Sequence, residues 1–187
     1  MSRHPTDLAS LPIEDPSTGD TLAVIETPRG SRNKYSYDPQ VGAFRLKKVL
    51  PRGSIFPYDF GFIPSTRAAD GDPLDVLVLL DEETPPGCLI SVRVIGAIEA
   101  EQRETGGKWL RNDRLVAVAT HAHRHSDAQS IKDLDGRMIQ EIEAFFTQYN
   151  KLEGKEFRVI GRCGPKGAGK LLDEAARTAR APTAKDV

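Results

Sequence analysis

The strongest constraint on the fold is the run Val76-Leu77-Val78-Leu79-Leu80, apolar at every position. A short unbroken apolar run bounded by turn residues fits a strand buried in a core. Asp75 to Leu80 therefore reads as a central strand. Immediately ahead of it, Asp70-Gly71-Asp72-Pro73-Leu74-Asp75 places three carboxylates within six residues. Carboxylates this close repel one another and are tolerated when solvated, protonated or bridged by a cation. Gly71 and Pro73 fix the turn and the strand anchors it, so the acids are held rather than free to spread. That favours a hard, oxygen-ligated ion, Mg²⁺ or Mn²⁺, over a soft one. A solvated polar turn capping a strand explains the same residues, and spacing alone leaves both readings open.

The rest of the chain must cover that strand. At 187 residues it suits one domain, 1–187, with a sizeable core. A hydrophobic content of 39% with 28% charged residues describes an ordinary globular chain. The net charge of −1 offers no basic footprint for nucleic acid. Residues 1–20 are polar, with Pro5, Pro12 and Pro16, and read as a loose or draped arm without the apolar core of a signal peptide. No stretch has the length of a membrane span, so a cytoplasmic protein with no membrane partner is expected. The tail, 181–187, is expected to fray. Cys88 and Cys163 match no zinc or redox spacing and read as small buried apolar residues in a reducing compartment.

Short strands are expected at Leu22–Glu26, Lys34–Tyr37 and Ala43–Leu50, the second and third joined by the turn Asp38-Pro39-Gln40-Val41-Gly42. On the third, Phe44, Leu46 and Lys48 share a face. Pro51–Pro64 reads as irregular, with Phe56, Tyr58, Phe60 and Phe62 at alternate positions packing into the core. A long strand follows at Leu89–Ile98, then a charged loop over Glu99–Asp113, then strands at Leu115–Ala119 and Glu156–Gly161. Met138, Ile139, Ile142, Phe145, Phe146 and Tyr149 fall on one helical face ended by Gly154, and Lys170–Arg180 forms a second helix. Strands first and helices late predict a mainly β, α+β fold: a small β-barrel with flanking helices.

Two motifs compete with the acidic turn. Gly164-Pro165-Lys166-Gly167-Ala168-Gly169-Lys170 matches most of a phosphate loop, but Leu171 stands where Ser or Thr should hold Mg²⁺, and no βαβ sheet follows. It reads better as a flexible surface turn. His121, His123 and His125 would share one face of an extended segment, yet Ser126-Asp127 beside them suggests a solvated loop. Cations are dense ahead of the acidic turn, at Arg29, Arg32, Lys34, Arg45, Lys47, Lys48 and Arg52, with Lys34 and Lys48 expected to face inward. Acids for a metal beside cations for phosphoryl oxygens are what a metal–phosphate substrate needs.

These segments together resemble the soluble family I inorganic pyrophosphatases. The resemblance covers roughly residues 22–175 and is carried by Val24-Ile25-Glu26-Thr27-Pro28, Asn33-Lys34-Tyr35, Gly42-Ala43-Phe44, Phe60-Gly61-Phe62-Ile63-Pro64 and above all Asp70–Asp75. It implies a five-stranded OB-like barrel, Mg²⁺-dependent hydrolysis of pyrophosphate to two phosphates, and a homo-oligomer, hexamer or trimer. By the same resemblance Asp70 and Asp75 are metal ligands and Asp72 is the carboxylate beside the attacking water. Glu26 is an acid behind them, and Lys34, Lys48, Arg114 and Tyr149 are phosphate contacts, with Phe60 at the substrate.

The chain also departs from the family around the site. Ser36 stands for a glutamate, Lys48 for an arginine, and Phe56 and Phe60 for tyrosines, with Asp59 a compensating acid. A family aspartate falls near the position of Gln102, with Glu101 and Glu104 as neighbours, and Asn150 replaces a lysine, with Lys151 one step on. Asn112-Asp113-Arg114 stands where the family has Asp-x-Lys. Asn112 offers the metal an uncharged oxygen. Asp113 can serve instead only if the chain bulges there, because a one-residue shift turns a strand side chain to the other face. One or two bound metals are expected rather than a fuller set. The alternatives are a divergent phosphohydrolase on another phosphoanhydride or phosphoester, and a non-catalytic paralogue that binds phosphate or a partner.

Overall fold

A computed structural model describes residues 7–181. The strands are β1 (Thr21–Thr27), β2 (Asn33–Asp38), β3 (Ala43–Val49), β4 (Asp59–Phe62), β5 (Asp75–Leu79), β6 (Leu89–Glu104), β7 (Leu110–Arg111), β8 (Arg114–Ala119) and β9 (Lys155–Cys163). Two helices, α1 (Gly136–Leu152) and α2 (Pro165–Arg180), flank β9. The strands β1, β4, β5, β8 and β6 pair in that order, and β6 returns to β1. Five strands thus close on themselves, the OB-like barrel expected, while β7 and β9 extend the sheet along β6. β2 and β3 form a separate antiparallel hairpin.

The apolar run behaves as its composition demands. Val76, Leu77, Val78 and Leu79 are all buried, between β4 on one side and β8 on the other. Ile25, Ile95, Ile98, Leu115 and Ile142 complete a core shared by the ring and α1. β5 and β8 are parallel, with Asp75 opposite Arg114. That register brings the end of the acidic turn and a buried arginine out at the same rim of the ring.

Several expectations need correction. The stretch Pro51–Pro64 is not wholly irregular, because Asp59–Phe62 forms β4. Gly61 makes this pairing possible: a Cβ there would overlap the Val24 carbonyl on β1. The strand expected to end at Ile98 continues to Glu104, and β7 follows at Leu110–Arg111, so much of the charged segment is strand rather than loop. Its pairing slips between Val94 and Gly96, a bulge that leaves Ile95 and Ile98 buried and Val94 half-buried. Charged side chains on the extension are satisfied across strands, Arg158 with Glu101 at 2.6 Å and Arg103 with Glu156 at 2.8 Å.

The Gly164–Lys170 segment is not a surface turn. Gly164 caps α2, Pro165 occupies its first turn, and Ala168 is fully buried. The three histidines lie on turns, with His125 at φ 59°, rather than on an extended face. Cys88 and Cys163 are free and only partly buried. The N-terminal arm is draped over the fold from Asp7 onward, with Glu14 bridging to Thr21. Apart from Ala181, the frayed tail expected at 181–187 lies outside the described residues, as does the start of the arm. Among the described residues no helix is long and apolar enough to cross a membrane.

Candidate active site

A cavity of about 400 Å³ opens between the rim of the ring, the hairpin and the C-terminal half of α1. Its lining includes Glu26, Lys34, Lys48, Phe60, Asp70, Asp72, Asp75, Asn112, Arg114 and Tyr149. All but one of the expected site residues therefore meet in one place.

The exception is Asp113. Its carboxylate accepts from the Ala100 N–H at 3.0 Å and pairs with Arg111 at 2.8 Å, beneath the β6 backbone. Asn112 instead points at the acidic turn, its amide donating to Asp70 Oδ2 at 3.1 Å. The chain does not bulge to bring both round, and the alternation of an extended segment sends them to opposite sides.

The cations are held by carboxylates that keep them apart. β2 and β3 slip by one residue at Lys47, which sets Lys34 opposite Lys48 and leaves Leu46 54% exposed instead of sharing their packing. Two lysines facing each other across a hairpin are unfavourable unless each has its own partner. Lys34 Nζ lies 3.1 Å from Glu26 Oε2 and 4.2 Å above the Phe60 ring. Lys48 is paired with Glu153 and lies 4.7 Å from the Tyr149 ring centre. Burial works against the charge of Lys48, but Glu153 and Tyr149 outweigh it and hold its pKa above the ordinary lysine value. Glu26 is a hub: besides Lys34 it accepts from the Tyr37 N–H at 2.7 Å and the Ser36 hydroxyl at 3.3 Å.

Arg114 is 4% exposed, between the rings of Phe146 at 4.3 Å and Phe157 at 4.7 Å. It donates to the Asn112 carbonyl at 2.9 Å and stands 3.6 Å from Asp75, while its Nε has no hydrogen-bond partner among the described residues. Burial pulls its pKa below the ordinary arginine value, against the attraction of Asp75. Burial pushes the Asp75 carboxyl up to about 7 despite Arg114 and Lys34, with Glu26 and Asp70 adding to the rise. Its side chain is still 26% open to the cavity, so the rise reflects the protein packed on its other sides. Asp70 is raised by burial too, and the neighbouring Asp72 adds to it.

The residues fit a hard divalent ion. Asp70, Asp72 and Asp75 supply carboxylate oxygens, and turning the Asn112 amide would present a fourth oxygen donor beside Asp70. Among the described residues no group of three or more His, Cys, Asp or Glu side chains is placed to hold a metal ion by itself, so a bound ion would need water or substrate oxygens to complete its shell.

Some lining residues are not among those expected at the site. Glu153 enters from the turn after α1, Lys155 from the start of β9, Tyr37 from the hairpin and Ala9 from the arm. Glu153 follows Tyr149 by four positions, the helical spacing that places both near one side of α1. Phe56 and Phe60 are core residues and cavity wall at once, being 1% and 4% exposed.

A closed five-stranded ring whose rim sets carboxylates opposite lysines and a buried arginine defines the class: an OB-like barrel built to handle phosphate. The chain belongs to the inorganic pyrophosphatase family, whose model matches residues 23–180. It is 41% identical to an inorganic pyrophosphatase of Synechocystis sp. over 155 residues, 83% of this chain and 88% of the relative. It is likewise 41% identical to one of Thermus thermophilus over 168 residues, 90% and 93% of the two chains. The crystal structure of inorganic pyrophosphatase from Thermus thermophilus matches the fold with a TM-score of 0.85 at 38% identity, covering 94% of this chain and all of that one.

Proposed function

We propose that this protein hydrolyses inorganic pyrophosphate to two phosphates with Mg²⁺, or Mn²⁺ in its place. The observation that carries this reading is the single cavity in which Asp70, Asp72 and Asp75 face Lys34, Lys48 and Arg114. Pyrophosphate is a small, highly charged anion. Acids and cations on facing walls can hold its metal-bound form from both sides.

Asp70, Asp75 and the Asn112 oxygen would hold the divalent ion, and the chemistry it would supply when bound is neutralisation of phosphoryl charge and a lowered pKa for a nearby water. Asp72, exposed on the acidic turn, takes a proton from the attacking water. The water oxygen bonds to one phosphorus as the bridging oxygen leaves with the second phosphate, which then takes up the proton. Lys34, Lys48 and the Tyr149 hydroxyl orient the oxygens of the substrate. Arg114 supplies a fixed cation beneath them that remains charged at neutral pH. Glu26 positions Lys34 without touching substrate. Asp113 plays no part in this scheme.

Phosphate release from pyrophosphate is expected with Mg²⁺ and with Mn²⁺ and not without metal, and Asp72→Asn should abolish it. No release by the folded protein under either metal would overturn the reading. Titration calorimetry with Mn²⁺ should count one or two metals per chain. A second reading, a phosphohydrolase for another phosphoanhydride or phosphoester, draws on Phe56 and Phe60: their rings give the cavity an apolar wall with no hydroxyl to meet phosphate. Release from nucleotides or sugar phosphates but not from pyrophosphate would favour it, and no release from any of them would leave a non-catalytic phosphate-binding or partner-binding role. We further propose one domain, a cytoplasmic location and a homo-oligomer, hexamer or trimer. Val49, Ile55 and Leu152, exposed together along one groove, are consistent with association, and sedimentation equilibrium tests it.

A further inference from the structure

The hairpin that carries Lys34 and Lys48 belongs to no strand ladder of the ring. Beyond its root it is tied to β1 by side chains, through Glu26 and through Thr27, whose hydroxyl accepts from the Tyr35 N–H at 3.1 Å. At Tyr37, where Glu26 already takes the backbone N–H and the ring stacks on Phe62, the N-terminal arm adds a hold on the side-chain hydroxyl. Asp7 caps a short 3₁₀ turn, Leu8–Ser10, and the Leu8 N–H donates to the Tyr37 hydroxyl at 3.1 Å.

The same turn grips the other wall of the cavity. The Ala9 carbonyl accepts from the Ser65 N–H at 2.7 Å, and the Leu11 carbonyl accepts from the Ser65 hydroxyl at 2.7 Å. Ser65 lies at the root of the loop leading to Asp70, with a φ of 52°. That is left-handed backbone, uncommon for serine and maintained only where its surroundings impose it. Ala9 itself lines the cavity.

We propose that the arm is a working part of the site, with Tyr37 and Ser65 as positioning residues. It sets the gap between the lysines of the hairpin and the carboxylates of the acidic turn. The proposal rests on the hydrolytic reading above for its kinetic consequence, though not for its structural one. A gap held too loosely weakens the grip on a substrate that must touch both walls.

The Leu8–Tyr37 bond can be removed from either end in the full-length chain. Tyr37→Phe deletes the acceptor. Leu8→Pro deletes the donor at the first position of the turn, where proline is tolerated. Asp7, at φ −68° and ψ 113°, already has the extended backbone that proline requires before it. Each variant should raise KM for pyrophosphate about fivefold with kcat within about twofold, and the double variant should match the singles rather than multiply them. Deuterium exchange of amides in residues 33–49 should quicken in all three. If Leu8→Pro does not fold, Ser65→Ala removes the arm's other side-chain bond and carries the same expectations. Unchanged KM and unchanged exchange, or singles that multiply, would overturn the proposal. Should the wild-type protein fail to hydrolyse pyrophosphate, the hydrolytic reading falls alone, and the exchange rates still decide for or against the arm.

Discussion

At the scale of single residues, the site depends on pairing charges that would otherwise be costly to bury. Glu26 and Lys34 have side chains only 10% and 13% exposed, and each satisfies the other. Removing one partner leaves the other charge in a poorly solvated place. Glu26→Gln should therefore cost about 3 kcal/mol of stability, read from urea unfolding, as well as loosening Lys34. A loss well under about 1 kcal/mol would mean that water already screens the pair. The same logic explains why Asp113 drops out of the site. Its carboxylate is consumed by Arg111 and the Ala100 amide, which need it to stay satisfied beneath the sheet.

At the scale of elements, two close approaches determine where the site residues emerge. The first is β1 against β4 at Gly61, where no side chain fits. Gly61→Ala should separate these strands and cost about 3 kcal/mol or more, a drop on the order of 10 °C in Tm. A Tm unchanged within a degree or two would show that the ring yields there. The second is the parallel register of β5 and β8, which delivers Asp75 and Arg114 side by side. Elements with a strong local pattern are legible in the sequence: the apolar run of β5, the β2–β3 hairpin with its turn at Gly42, and the amphipathic face of α1. β4 is not, because its alternating aromatics are interrupted by Gly61 and sit beside prolines. The charged half of β6 is not, because its acids and arginines resemble a loop until β9 supplies their cross-strand partners.

At the scale of the whole molecule, polar groups buried between loops couple stability to pH. Asp59, 1% exposed, joins the loop after β1 to the one after β5, accepting from the Arg29 N–H at 2.6 Å and the Thr84 N–H at 3.0 Å. Burial raises its pKa, and those hydrogen bonds offset only part of the rise. The folded protein therefore holds this proton more tightly than the unfolded chain. The stabilisation is complete below the ordinary value of 3.8 and is lost as pH rises through the raised one. Asp59→Asn should flatten that part of the stability-against-pH curve, and a curve of unaltered shape would rule the coupling out.

The barrel class and the residue types of the site are legible in local pattern: an apolar run that must be buried, acids fixed by a Gly and a Pro, and lysines dense just ahead of them. The family is legible only in the resemblance of many segments in order. Which of Asn112 and Asp113 turns toward the acids emerges only on folding, as does the meeting of Lys155, Glu153 and the N-terminal arm at the same cavity. A side chain's direction depends on where its strand pairs and slips, and residues far apart in the chain become neighbours only when the ring closes.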